Sequence, residues 1–423
     1  MKISLGSPAR KAVFLGTCLL LAGVYVGFAG RQFLASYFST QLDLLSLQRA
    51  ARLEPGNAFH QYRLGHYFLQ TQHEPETAAR FLKTATTLNP GNASYWIELA
   101  TAYRLLADPD LQKDALRHAV AADPSTPEVA WNAANFFWSI GETTDALREF
   151  GVVLAADPNL SPEALDRCWR IRPDVNALMK DVIPRNSGAY SSFLDFLISR
   201  SEPAAAANVW SQMVQLQQPV ETNHILGYVQ YLLGQRNVPQ ARQVWRQAAS
   251  FSELSGYQPS SDNLVVNGDF SLAVLNGGFD WQYWKSLDVS LAIDPTESHS
   301  GPRSLSIVFD SRGMEDVGIQ QLIPVQPNST YRFSAHFKSE GMEGAGGPRF
   351  LLEDQFTGAS VFASEELKDA DFWKQVEGTF ITGADTTLLR LRIQRVPAGD
   401  AIRGKLWIDG VHLAEEPEAG GGY

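Results

Sequence analysis

The stretch NLVVNGDFS, Asn263 to Ser271, divides the chain into two parts with different grammar. Leu264, Val265 and Val266 are β-formers, Asn267-Gly268-Asp269 is a turn-forming trio, and an aromatic, Phe270, follows. Upstream, the chain is rich in Ala, Leu and Gln with helical spacing; downstream, alternation with a period of two takes over. The stretch therefore reads as the first strand of a β-domain. It is entered through SGYQPSSD, Ser255–Asp262, a linker of turn formers.

Beyond it, SLSIVFD (Ser304–Asp310) places Leu305, Ile307 and Phe309 on one face. YRFSAHFK (Tyr331–Lys338) sets Tyr331, Phe333, Ala335 and Phe337 against Arg332, Ser334, His336 and Lys338. LLRLRIQR (Leu388–Arg395) sets Leu389, Leu391 and Ile393 against Arg390, Arg392 and Gln394. Further strands fit GIQQLIPV, RFLLEDQF, WKQVEGTFIT and KLWIDGVHL. About nine short strands broken by Gly, Pro and Asn imply an all-β sandwich. It spans 263–415, with a flexible tail at 416–423.

Upstream, LEPGN, LNPGN, AADPS and AADPN recur, their prolines (Pro55, Pro90, Pro124, Pro158) spaced 35, 34 and 34 residues apart. Proline stops a helix because it lacks the N–H and clashes with the preceding turn. Between the prolines, Trp96-x-x-Leu99-Ala100-x-x-Tyr103 lies on one helix face, and Gly141 turns the next pair. Small residues at Ala78, Ala85, Ala119 and Ala146 let paired helices approach. This region, 31–254, resembles the tetratricopeptide repeat, with the match covering about Gln41 to Ser252 and a departure at Cys168–Pro184. The resemblance implies an all-α solenoid whose groove binds a protein partner.

Lys2, Arg10 and Lys11 precede AVFLGTCLLLAGVYVGFAG, an uncharged span from Ala12 to Gly30. It exceeds the ~7–15 apolar residues of a signal peptide and matches a ~30 Å bilayer core at 1.5 Å rise per residue. A transmembrane anchor at 12–30 is expected, with 1–11 cytoplasmic and the bulk periplasmic or extracellular. The half-unit Leu44–Pro55 lacks a first helix of its own, and the apolar helix is expected to continue into that place. A 44% hydrophobic and 19% charged composition is that of a folded chain, and a net charge of −11 shows no basic footprint for nucleic acid. Two cysteines, Cys18 and Cys168, form neither a disulfide framework nor a zinc site.

The order NLVVNGDFS, an aromatic segment, HSGPRSLSI, FWKQVEGTFIT and LWIDGVHL resembles the jelly-roll, galactose-binding-like carbohydrate-binding modules of bacterial glycanases. The resemblance implies two sites. One is a structural calcium joining first and last strands, with Asp409 and Asp269 as candidate ligands; Ser271 stands where the family commonly has Glu. The other is for glycan, with Trp281, Tyr283, Trp284 and Trp407 as stacking candidates. Trp407 alternates with Leu406 and Ile408 and should face away from the core, whereas Trp373 occupies a packing position. Arg332, His336, Arg390 and Arg392 are expected on one outer face, a basic surface for an acidic glycan.

No HExxH, GxSxG or P-loop pattern is present, and the neighbouring carboxylates Glu353–Asp354 and Glu365–Glu366 point to opposite faces of a strand. The expectation is a non-enzymatic bacterial inner-membrane protein of the cell envelope. Its repeats bind protein, its sandwich binds glycan, and both serve surface polysaccharide assembly or export. The alternative is a structural scaffold whose sandwich binds no sugar.

Overall fold

A computed structural model describes residues 7–156, 161–285, 288–395 and 398–416. The first six residues, Pro158 and the tail beyond Glu416 lie outside the described residues. The chain divides into two compact units, Met1–Arg185 and Asn186–Tyr423.

The first unit is helical: α1 (Pro8–Ser39), α2 (Leu44–Leu53), α3 (Ala58–Gln70), α4 (Pro75–Leu88), α5 (Ala93–Leu105), α6 (Pro109–Ala122), α7 (Pro127–Ser139), α8 (Thr143–Ala156), α9 (Ser161–Ile171) and α10 (Val175–Asp181). Consecutive helices pack in pairs, α3 on α4, α5 on α6 and α7 on α8. The recurring motifs do two jobs. Pro55 and Pro90 follow the last turns of α2 and α4, and Asn57 and Asn92 then cap α3 and α5, accepting from Phe59 N and Ser94 N at 3.1 Å. Ala78, Ala85, Ala119 and Ala146 are fully buried, as close helix approach requires. The irregular stretch is where α10 shrinks to 7 residues.

Helix α1 runs for 32 residues with a mean hydropathy of 2.1 over its apolar window, none of it covered by the rest of the chain. Among the described residues it is the one helix long and apolar enough to cross a membrane. Its last turns behave differently. Ala35 and Ser39 are buried, Arg49 of α2 lies 5.6 Å over the Phe38 ring, and Arg31 Nε donates to the Leu53 carbonyl. The apolar helix thus supplies the helix that the half-unit Leu44–Pro55 lacks.

The second unit begins with two more helix pairs, α11 (Ser187–Ser199) with α12 (Pro203–Leu216) and α13 (Thr222–Gly234) with α14 (Val238–Ala248). Among the described residues ten strands follow: β1 (Gln282–Tyr283), β2 (Val289–Asp294), β3 (Ser304–Gly313), β4 (Asp316–Pro324), β5 (Thr330–Gly344), β6 (Pro348–Asp354), β7 (Ser360–Ala363), β8 (Lys374–Ile381), β9 (Leu388–Arg395) and β10 (Ala401–Glu415). They form two five-stranded antiparallel sheets, ordered β1-β4-β9-β6-β7 and β2-β3-β10-β5-β8. The core between them takes the residues the alternation selects, including Leu305, Ile307, Phe309, Phe333, Phe337, Leu389, Leu391 and Ile393.

The opening stretch is not a strand. Asn267 and Phe270 adopt positive φ (51° and 52°), folding Asn263–Ser271 into successive turns. Its backbone still meets the closing strand, with Leu264 N donating to Leu413 O at 2.8 Å and Val411 N to Gly268 O at 2.9 Å. Its side chains join the core through Val265 and Phe270. Ser255–Asp262 is bonded to its surroundings: Trp245 Nε1 donates to Tyr257 O at 2.7 Å, and Tyr257 Oη donates to Ala273 O at 2.7 Å.

Candidate functional site

The outward face of the β1-β4-β9-β6-β7 sheet is built by register. One row crosses four strands, Gln282 opposite Gln320, Gln320 opposite Arg392, and Arg392 opposite Leu351. The next row sets Leu322 opposite Arg390 and Arg390 opposite Glu353. A third sets Asp316 opposite Gln394 and Gln394 opposite Arg349. Because side chains alternate, the residues between these rows (Ile319, Ile323, Leu389, Leu391, Ile393, Phe350, Leu352) are core, and the rows share the other face.

The polar groups on this face hold one another in place. Glu353, only 9% exposed, accepts from Arg390 Nη2 and Arg392 Nη2 at 2.9 Å, one guanidinium on each carboxylate oxygen. Arg392 also donates through Nη1 to Asp316 at 3.2 Å, and Arg349 to Glu366 at 3.0 Å. Gln320 Nε2 donates to Gln282 Oε1 at 3.1 Å. Arg390 and Arg392 thus face Glu353 and Asp316, two guanidiniums on two carboxylates, so this part of the surface is polar but electrically balanced, while at its margin Glu366 pairs with both Arg349 and Lys368. Charge-assisted bonds of this kind fix rotamers that free side chains would sample. The Nε atoms of Arg390 and Arg392 are buried without a partner in the structure.

Trp284 forms the rim, 45% exposed, with its backbone N–H donating to Gly318 O at 3.0 Å. Gly318 has φ +87°, a conformation that favours glycine, and a Cβ there would also stand 3.1 Å from the Trp284 carbonyl oxygen. Tyr283 is 48% exposed but stands opposite Ile319 in the ladder, on the other face of β1 from the Gln282–Gln320 row, with its backbone N–H held by Asn276 Oδ1 at 2.8 Å. A partly open aromatic face next to a rigid row of amides and a guanidinium suits a sugar, whose C–H face packs on a ring while its hydroxyls meet fixed polar groups.

Of the residues expected to bind, Arg390 and Arg392 lie on this face and Trp284 follows β1 at its edge, while Tyr283 of β1 stands opposite Ile319 on the other face. The others are placed elsewhere. Trp281 is 1% exposed, stacked on Phe270 at 5.2 Å, with Nε1 donating to Asn267 O; it is core, not a platform. Trp407 does turn away from the core, but Lys405 Nζ covers its ring at 4.2 Å, Lys338 Nζ stands at 5.5 Å, and Asp294 accepts its N–H at 2.9 Å. At 4% exposure it offers no free ring face. Hydrogen bonds from Thr296 and then Trp407 hold the Asp294 carboxyl well below its ordinary range.

Arg332 and His336 lie on β5, in the opposite sheet from Arg390 and Arg392 on β9, so the expected shared basic face does not exist. Arg332 pairs with Glu416 at 2.6 Å. His336 stacks on His299 with ring centroids 3.6 Å apart, and Trp373 stands 5.8 Å beyond His299. Burial first, and then the neighbouring His299, push the His336 pKa down. Sequence reading missed Gln282, Gln320, Asp316 and the brace role of Glu353. Gln320 and Gln321 adjoin, which masks the alternation: Gln321 points inward, bonded to Val266 N at 3.0 Å and O at 2.8 Å.

The two candidate calcium ligands are otherwise engaged. Asp409 is completely buried and accepts four hydrogen bonds, while Asp269 Oδ1 accepts from Ser271 N at 3.1 Å. No group of three or more His, Cys, Asp or Glu suited to a metal occurs among the described residues. These residues do not fit the expected ion.

Residues 262–399 match the family model of a carbohydrate binding domain. No curated protein matches the chain. Solved structures similar to parts of it include a CBM4 structure (15% identity, 36% of this chain and 99% of that one, TM-score 0.27). A second is the CBM22-1 xylan-binding domain of Paenibacillus barcinonensis Xyn10C (15% identity, 38% and 99%, TM-score 0.27). A third, similar to the helical part, is Pseudomonas aeruginosa pilF (19% identity, 45% and 75%, TM-score 0.23). Values this low carry no argument about a ligand.

Proposed function

We propose that the chain is a non-enzymatic, membrane-anchored glycan-binding protein, and that the outer face of the β1-β4-β9-β6-β7 sheet binds a neutral polysaccharide. The match of residues 262–399 supports glycan binding. The observation that selects a neutral glycan is the charge balance of the face, with Arg390 and Arg392 clamped on Glu353 and Asp316. A clamped guanidinium retains donor capacity for hydroxyls but presents little net field to an anion. Affinity gel electrophoresis with xylan, a mixed-linkage β-glucan and alginate tests this. Wild-type protein should be retarded by a neutral polymer, and Trp284→Ala should weaken binding at least about tenfold, the scale of an aromatic hot spot. Retardation by alginate alone, or an unaltered Trp284→Ala, would overturn the reading; no retardation by any polymer returns the scaffold alternative.

In this reading α1 spans the bacterial inner membrane and places both units on its outer side, with a role in surface polysaccharide assembly or export. The helical pairs supply the protein-binding surface. On α3 and α5, Tyr62 stacks on Tyr95 at 4.7 Å and Glu98 lies 2.7 Å from the His66 ring, giving a mixed aromatic and polar face. In cells, the chain should remain in membranes through alkaline carbonate, and a photoreactive residue at position 62 should cross-link to another protein. Release by carbonate removes the anchor, and the absence of any protein adduct removes the partner.

A further inference from the structure

The junction between the opening turns, the β2–β3 loop and the closing strand is where the family resemblance expects an ion. It is also among the most densely bonded places in the sandwich. A carboxylate has about four lone-pair sites, and all of those on Asp409 are used. Oδ2 accepts from His299 N at 2.6 Å and Ser300 N at 2.8 Å; Oδ1 accepts from Gly410 N at 2.6 Å and Ser300 Oγ at 3.1 Å. A buried carboxylate needs compensation, and here protein donors supply it in full. Across the junction Arg303 Nη2 donates to the Ser271 carbonyl, at the position where the side chain is a hydroxyl instead of a family-type carboxylate. Gly301, in the same loop, backs onto Asp269, where a Cβ would lie 3.6 Å from its Oδ2.

We propose that Arg303 is a built-in cation that replaces the structural calcium, so the sandwich closes without metal. Calcium requires six to eight oxygens at about 2.3–2.6 Å. At this junction the Asp409 oxygens face N–H and O–H donors, and a fixed guanidinium holds the Ser271 carbonyl; a divalent cation would meet hydrogens and a like charge. The strand-joining work is done directly by protein bonds. Asn263 Nδ2 donates to Val411 O at 3.1 Å, Leu413 N donates to Asn263 Oδ1 at 3.0 Å, and Val411 N donates to Gly268 O at 2.9 Å.

The test is thermal unfolding of the full chain in detergent, followed by tryptophan fluorescence, in EDTA and across a calcium titration. Wild type should shift by less than about 1 °C between the extremes, whereas a bound ion would raise the midpoint progressively with its concentration. Arg303→Met keeps much of the side-chain volume without the charge. It should lower the midpoint by roughly 2–8 °C, the shift expected for losing about 1–2 kcal/mol from a partly buried interaction, and calcium should not restore it. A saturable calcium-dependent rise in wild type overturns the proposal, as does an Arg303→Met midpoint equal to wild type or one rescued by calcium. Should Arg303→Met not accumulate as folded protein, the wild-type titration decides alone.

Discussion

Trp245→Ala is expected to destabilise the second unit by about 3–5 kcal/mol, the range for truncating a buried aromatic, and to loosen the loop that carries Trp284, the proposed glycan rim. Trp245 sits on α14 with 1% of its surface exposed. Phe279 meets its ring edge-on at 5.6 Å and 80°, and its Nε1 donates to Tyr257 O. Gly278, at φ +61°, has no room for a Cβ because the Trp245 ring occupies that space. Leu226 of α13 closes on Gly277 from the other side, where a Cβ would stand 3.1 Å from its Cδ1. Six residues after Gly278 the chain reaches Trp284, and Gln282 Nε2 donates back to Gly278 O at 3.2 Å. The loop is thus pinned by a helix at one end and presents the binding row at the other. Hydrogen exchange of amides in 273–284 should accelerate by roughly a hundredfold or more, given tenfold per ~1.4 kcal/mol. Phe279→Ala removes the contact from the loop side and should produce a smaller change of the same sign. Unaltered protection of 273–284 in both variants would refute the coupling.

Asp280→Asn should stabilise the same unit above pH 6 and do little near pH 4. Asp280 is fully buried inside that loop, where Oδ2 accepts from Leu275 N at 2.7 Å. Burial pushes the carboxyl from 3.8 up to about 6, against the opposing bonds from Leu275, Trp281 and Asn267; the nearby titratable Tyr257 feels its charge. The folded chain therefore holds a proton that the unfolded chain releases. The resulting stability is complete below pH 3.8 and is lost as the pH rises through about 6. A shift of about two units corresponds to roughly 3 kcal/mol as an upper bound. Asparagine retains an acceptor for Leu275 N and carries no charge. Urea unfolding of variant and wild type at pH 4.5 and 7.5 measures the difference; an equal difference at both values would show that charge is not the cause.

Much of the sandwich was legible because one face of each strand is buried. In β3, β5 and β9 the alternation fixed which residues enter the core, and register follows from that. Sheet membership is a tertiary property, and here reading by strand failed. Arg332 and Arg390 sit in equally regular alternations, yet their strands lie in different sheets. The opening stretch misled for a related reason. Val265 and Phe270 are buried as strand residues would be, but through turns, with the backbone of Val266 satisfied by the Gln321 side chain instead of a ladder. Glu353 was visible as a carboxylate, while its function depends on two guanidiniums from the neighbouring strand. In the helical unit, Pro-Gly-Asn at 55–57 and 90–92 was readable because stop and cap are both local effects.

The shared role of α1 has a geometrical consequence. An anchor joined by a flexible tether lets its cargo swivel and reach, but α1 enters the first helix pair without a break, and Ala35, Ser39 and Arg31 fasten it to α2. If Ala12–Gly30 lies in lipid, the nine residues that follow to Ser39 set a standoff of about 14 Å at 1.5 Å per residue. Tilt of the span then becomes tilt of the first helix pair. In that case the bilayer would act as a goniometer for this unit, setting the height and heading at which a protein partner meets it.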